Sequence, residues 1–260
     1  MSTFEALFPF NHNEMELSAE WLQGRAIFGG LLAAIALDAL ERTIPEDRVP
    51  LNLSCQFIGP IEPGKVRIVP EVHRAGKYIT QAHVDIYQND RRQLSLQAVF
   101  GTPRPSAIAI ETPRPTLGKS FAESDHFETN DTSAFPAFVN QFDFRYTESG
   151  FPFTGKGNGT IGGFCRHASA ARGYKAIAAL VDAWPPTLLP MFDSPVRASS
   201  VHWVVHFHGV GLQSYDCASD YFEYFATTVM AMNGHGTTDA VLSKDGQVIA
   251  TSRQLISVFG

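Results

Sequence analysis

The stretch Trp21–Leu40, WLQGRAIFGGLLAAIALDAL, decides how the rest of the chain is read. From Phe28 onward Leu, Ala and Ile dominate, no proline interrupts, and Asp38 is the one charged residue before Glu41. The pattern predicts a helix over Phe28–Leu40 without a polar face, and such a helix must be buried on every side. The uncharged run between Arg25 and Asp38 is too short to span a membrane. A soluble helix wrapped by a curved sheet is the remaining solution. Gly29-Gly30 opens the helix and lets other backbone approach a terminus with free N–H groups and partial positive charge. Glycines at that place serve tight packing equally well.

Downstream, four strand-like runs follow: Leu51–Ile58, Lys65–Arg74, Tyr78–Gln88 and Arg91–Gly101. Gly59-Pro60, Pro63-Gly64, Ala75-Gly76 and Asn89-Asp90 supply the turns between them, which predicts an antiparallel meander. Residues 103–137 change character, with two Pro-Arg-Pro runs and then Ser, Thr, Asp and Glu, as an extended connection would. A strand over Phe138–Thr147, a glycine-rich loop over Gly155–Gly163 and a strand over Phe164–His167 are expected next. Lys156 lies in that loop without a following Ser or Thr, so a hairpin loop is read there rather than a phosphate-binding one.

The opening pattern then recurs. Tyr174–Trp184, YKAIAALVDAW, repeats LLAAIALDAL, with Asp182 where the first copy has Asp38 and prolines after both. Strands over Ser199–His208, Ala218–Met232, Thr237–Ser243 and Gln247–Phe259 complete a second helix-plus-meander. Both halves end on Phe-Gly, with Gln97 and Gln254 shortly before. Internal repetition of this kind outranks any single motif as evidence of fold.

Composition narrows the function classes. The 260 residues carry a net charge of −6, and 44% are hydrophobic. A sizeable core is available, a basic nucleic-acid footprint is absent, and no segment is long enough to cross a membrane. Met1–Phe10 lacks the basic start and apolar centre of a secretory leader, so a cytoplasmic location is expected. Cys55, Cys165 and Cys217 are odd in number and far apart, which fits reduced thiols better than disulfides or a zinc site.

The run Val201–His208, VHWVVHFH, holds the most conspicuous side chains. Alternation puts His202, Val204, His206 and His208 on one face. His202 and His206 are then about 13 Å apart, too far to share one metal ion. A half-exposed or interface face accounts for these histidines without a metal. Thr227-Thr228 and Gln254 lie on neighbouring strands. A curling sheet could bring His, Thr and Gln around one water, with a base to take its proton and a hydroxyl and an amide to aim it. No Gly-x-Ser-x-Gly elbow, His-Glu-x-x-His run or dinucleotide fingerprint occurs.

With those residues in view, the chain resembles the thioesterase superfamily with the hotdog fold. More closely it resembles the double-hotdog acyl-CoA thioesterases of the TesB or type II kind. GRAIFGGLLAAIAL and FIGPIEPGKVRIVPEVHRAGKYITQAHVDIYQND carry the resemblance in the first half, and LVDAWPP, VHFH and DGQVIATSRQ in the second. It implies an α+β double hotdog: two antiparallel sheets, each wrapping a central buried helix, joined edge to edge. The expected units are 1–102 and 138–260, with a linker over 103–137. It further implies hydrolysis of an acyl-CoA thioester by water, in lipid metabolism, without metal, cofactor or covalent intermediate. The expected partners are an acyl-CoA and, in a homo-oligomer, further copies of the chain, with no nucleic acid and no membrane.

In such enzymes an Asp, a Ser or Thr, and a Gln of the second hotdog hold the water. Gln254 matches the glutamine, and Thr228 the hydroxyl residue, or Thr227 if the register slips by one. The Asp position, six residues before His208, holds His202, a departure that moves the base role to an imidazole. Gly29 or Gly30 N–H would polarise the thioester carbonyl. The first-unit counterpart of His202 is Asn52, so no second site is expected there. Two rival readings are a non-catalytic acyl-CoA or lipid-binding protein and a hydratase or dehydratase of the same fold.

Overall fold

The computed structural model describes residues 3–8, 13–127, 135–148, 150–209 and 211–259. Its strands are β1 (Glu14–Leu17), β2 (Leu22–Gln23), β3 (Ala26–Ile27), β4 (Val49–Phe57), β5 (Gly64–Ala75), β6 (Ile79–Gln88), β7 (Arg91–Gly101), β8 (Asp125–His126), β9 (Phe142–Tyr146), β10 (Thr160–His167), β11 (Arg197–Phe207), β12 (Phe222–Met232), β13 (His235–Lys244) and β14 (Gln247–Phe259). The two α-helices are α1 (Gly29–Glu41) and α2 (Gly173–Asp182).

α1 is buried from Gly30 through Leu40, as a helix with no polar face requires. Each Leu or Ile it takes out of water contributes about 1.5–3 kcal/mol. α2 is buried along most of its length and stops at Asp182, just before Pro185-Pro186. The two helices pack against each other inside the fold. Among the described residues no helix is long and apolar enough to cross a membrane.

The expected pair of sheets is in fact one. Twelve strands form a single antiparallel sheet in the order β1-β5-β6-β7-β4-β11-β14-β13-β12-β10-β9-β8. The seam between the halves is the β4–β11 pair, with Val204 opposite Ser54, so the ladder runs on unbroken. Cross-strand pairing also exposes the duplication. A bulge falls between Pro50 and Asn52 of β4 and again between Ser200 and His202 of β11. Counting from these bulges, Asn52 corresponds to His202, Pro50 to Ser200, and Ala98 to Gln254.

Three element boundaries differ from the sequence reading by four residues. Ala137–Gln141 is a 3-10 turn rather than the start of a strand. β10 extends back through Gly162 and Gly163. There the bare backbone admits close neighbours: a Cβ on Gly163 would lie 2.9 Å from the Trp184 ring. β12 begins only at Phe222, because residues 218–220 turn around the Asp216 carboxylate, which accepts from the Ala218 and Ser219 N–H groups. The three cysteines are free and buried, and burial pushes their thiols upward, to about 12 for Cys165.

Candidate active site

The site is built where the N-terminus of α1 meets the C-terminus of α2. Asp182, the last residue of α2, accepts hydrogen bonds from the Gly30 backbone N–H and from Gln254 Nε2 at 2.8 Å. The second amide proton of Gln254 reaches Ser200 Oγ, also at 2.8 Å. Both N–H groups of Gln254 are engaged, and its carbonyl oxygen makes no hydrogen bond among the described residues. The glycines are required by closeness. A Cβ on Gly29 would lie 2.9 Å from Asp182 Oδ2 and 3.0 Å from the Phe57 ring, and one on Gly30 would lie 3.0 Å from Asp182 Cβ. Gly29 N–H makes no hydrogen bond among the described residues.

Asp182 has no ion-pair partner among the described residues and keeps some accessible surface. Burial pushes its carboxyl up to about 7, against the Gln254 and Gly30 hydrogen bonds, which favour the ionised form. A carboxylate that changes charge near neutrality and is held by two donors is suited to taking a proton from a water molecule.

The sequence reading placed the base elsewhere. Trp203 lies opposite Gln254, so the two side chains share the helix-facing side of the sheet. His202, the next residue along, points to the other side, where its Nε2 meets Ser54 Oγ at 3.0 Å. The sheet itself therefore separates His202 from Gln254, and the expected histidine base is not at this site. His206 is exposed, and His208 Nε2 meets Thr251 Oγ1 at 2.8 Å. Among the described residues no three His, Cys, Asp or Glu side chains converge to hold a metal.

Thr228 is on the helix-facing side and Thr227 is not. Gln254, Thr238 and Thr228 form one row across β14, β13 and β12. Thr228 thus stands two strands from Gln254 on the same face, about 10 Å away between backbones. Its hydroxyl meets Thr187 Oγ1 at 2.7 Å, and Thr187 in turn meets Thr238 Oγ1 at 2.9 Å.

Sequence reasoning missed Asp182, Ser200 and Thr187. The signal for Asp182 was present, since it is the one acidic residue of α2 and echoes Asp38. Ser200 gave no signal, because only the bulge beside it turns its hydroxyl toward Gln254.

The equivalent place in the other half is dismantled. Asp38 is held by Arg42 and by Lys175 Nζ at 3.3 Å. Tyr174 stands where the candidate site has Gly30, Pro50 where it has Ser200, and Ala98 where it has Gln254. Gln97, the apparent echo of Gln254 in sequence, is exposed, with its neighbours Leu96 and Ala98 turned inward.

Comparison with known proteins agrees with this architecture. A hot dog fold protein from Alicyclobacillus acidocaldarius superposes with a TM-score of 0.85 at 22% identity, covering 99% of this chain and 98% of that one. The tesB protein of Mycobacterium avium subspecies paratuberculosis gives 0.77 at 15% identity, over 99% and 98%. The dehydratase domain of PpsC from Mycobacterium tuberculosis gives 0.54 at 16%, over 95% and 92%. These likenesses concern the fold. An uncharacterized protein of Mycobacterium tuberculosis is 26% identical over 95 residues, 35% of this chain and about a third (33%) of its own length. The model of the acyl-CoA thioesterase N-terminal domain matches residues 17–101 and that of the C-terminal domain residues 118–258, so the chain belongs to the acyl-CoA thioesterase family.

Proposed function

We propose that the chain hydrolyses an acyl-CoA thioester to the free acid and CoA, with Asp182 as general base in place of the His202 first expected. The observation that carries this reading is the desolvated Asp182 carboxylate, held by Gln254 and Gly30 and with no cation paired to it among the described residues. Asp182 takes a proton from water as the water oxygen attacks the thioester carbonyl carbon. The Gln254 carbonyl oxygen accepts the water's second hydrogen. Gly30 N–H is already engaged by Asp182, so the neighbouring Gly29 N–H is the donor left for the developing oxyanion. The tetrahedral intermediate then collapses with release of the CoA thiolate, which is protonated on leaving.

Hydratase or dehydratase chemistry that pairs a histidine with a carboxylate finds no imidazole bonded to Asp182 among the described residues. The test is release of free CoA thiol from a panel of acyl-CoA esters. Turnover that disappears in Asp182→Asn supports the reading. Binding without thiol release by the unaltered chain would leave an acyl-CoA-binding protein, and consumption of enoyl-CoA absorbance without thiol release would indicate a hydratase.

A further inference from the structure

Three threonines from distant parts of the chain form a line of hydroxyls: Thr238 on β13, Thr187 just after α2, and Thr228 on β12. Thr187 and Thr238 are buried, at 1% and 5% exposure, whereas Thr228 keeps an accessible surface. Thr187 is buried and has these two partners, so keeping its one proton satisfied requires it to donate to one and accept from the other. Thr238 has Thr187 as its one side-chain partner among the described residues. If the line ran from Thr228 inward, the Thr238 proton would be buried without an acceptor, the unfavourable arrangement. Running outward, Thr238 donates to Thr187 and Thr187 to Thr228, and every buried donor is satisfied. The proton left over is then that of Thr228, the one hydroxyl of the three with an accessible surface. Gly159 keeps the space beside it small, since a Cβ there would lie 3.2 Å from Thr228 Oγ1.

The geometry points to Thr187 as a positioning residue that fixes Thr228 as a hydrogen-bond donor to an acceptor oxygen of the bound acyl-CoA. This rests on the acyl-CoA hydrolase reading. Thr187 does not touch substrate itself. It consumes a lone pair of Thr228 and so orients the Thr228 proton outward, a role no hydrocarbon of the same shape can fill.

The experiment measures kcat/KM for thiol release in Thr187→Val, Thr187→Ser, Thr228→Val and the Thr187→Val/Thr228→Val pair, with urea unfolding of each as a control. Expected is a loss of about tenfold in Thr187→Val, the scale of one hydrogen bond, and recovery in Thr187→Ser. The double variant should match Thr228→Val alone, because Thr187 acts through that hydroxyl. Additive losses, or failure of Thr187→Ser to recover, would mean that Thr187 only supports the fold, and the inference falls. Wild-type kcat/KM in Thr187→Val with an impaired Thr228→Val overturns the Thr187 role alone. A wild-type rate in Thr228→Val removes Thr228 from the site and this role with it. No thiol release from any ester by the unaltered chain overturns the hydrolase reading as well.

Discussion

Replacing Asp182 by Asn tests the candidate site through stability and turnover together. In the folded chain Asp182 titrates at about 7 against the usual 3.8, so the folded state binds its proton more tightly than the unfolded state does. A raised carboxyl favours folding below about pH 4 and loses that advantage as pH rises through 7. At 1.36 kcal/mol per pH unit, the penalty of holding the ionised group at pH 8.5 is on the order of 4 kcal/mol. Asparagine never ionises and escapes it. Its amide nitrogen, however, faces one of the two donors, Gln254 Nε2 or Gly30 N–H, an unmet hydrogen bond of about 1–3 kcal/mol. Asp182→Asn should therefore be more stable than the parent by about 1–3 kcal/mol at pH 8.5, and no more stable, or less, at pH 4.5. Urea titrations of both proteins at the two pH values read this change of order. Thiol release from an acyl-CoA should fall about 100-fold or more in the variant. In the parent it should rise with pH to a midpoint near 7. A stability difference that is the same at both pH values, or an Asp182→Asn turnover within tenfold of the parent, would refute the assignment of Asp182 as a buried, titrating base.

Gln254→Ala removes a donor that favours the ionised form of Asp182, so the midpoint of the pH–rate profile should move upward while the plateau falls, both read in the same thiol assay. Gly29→Ala sets a methyl group within 2.9 Å of Asp182 Oδ2 and 3.0 Å of the Phe57 ring, and turnover should drop about tenfold or more in a protein that still unfolds cooperatively in urea. His202→Ala loses a partly buried contact to Ser54 on the far side of the sheet, and thiol release should match the parent at every pH from 5 to 9. Lys175→Met strips a cation from Asp38 and Glu5, and should lower unfolding stability by about 1–3 kcal/mol with kcat unchanged.

What was legible in the chain followed from periodicity and repetition. An all-round apolar helix has one physical solution, burial, and α1 and α2 adopt it. Strands separated by Gly, Pro and Asn-Asp turns fall where their spacing predicts, as in β7 and β14. The edge-to-edge join came from the resemblance and not from any local pattern, because which edge strands pair, and in what register, is decided across the β4–β11 seam. The site failed for a related reason. Alternation does assign His202 and Gln254 each to a face of its own strand, but which faces coincide depends on a cross-strand register and on the bulge at Ser200. A match by position along the chain therefore carried a role to His202 that the sheet denies it.

The same bulge and the same meeting of helix ends occur twice, yet the candidate site lies at one of them, and charge accounts for the difference. A carboxylate serves as a base near neutrality only if it is desolvated without a fixed counter-ion. Asp182 meets that condition because Gly29 and Gly30 bring uncharged backbone, not a side chain, against it. At the other end Asp38 is also desolvated, but Lys175 occupies the position that corresponds to Leu31, and Lys175 and Arg42 together neutralise it. Tyr174 stands at the position of Gly30, and Ala98 offers no amide. The second end thus holds its helices together with an ion pair, where the first leaves an unbalanced charge whose destabilisation the rest of the fold offsets. One half of the duplicated fold supplies the Gly-Gly helix start, the other supplies Asp182, Gln254 and Ser200, and neither half holds a complete site by itself.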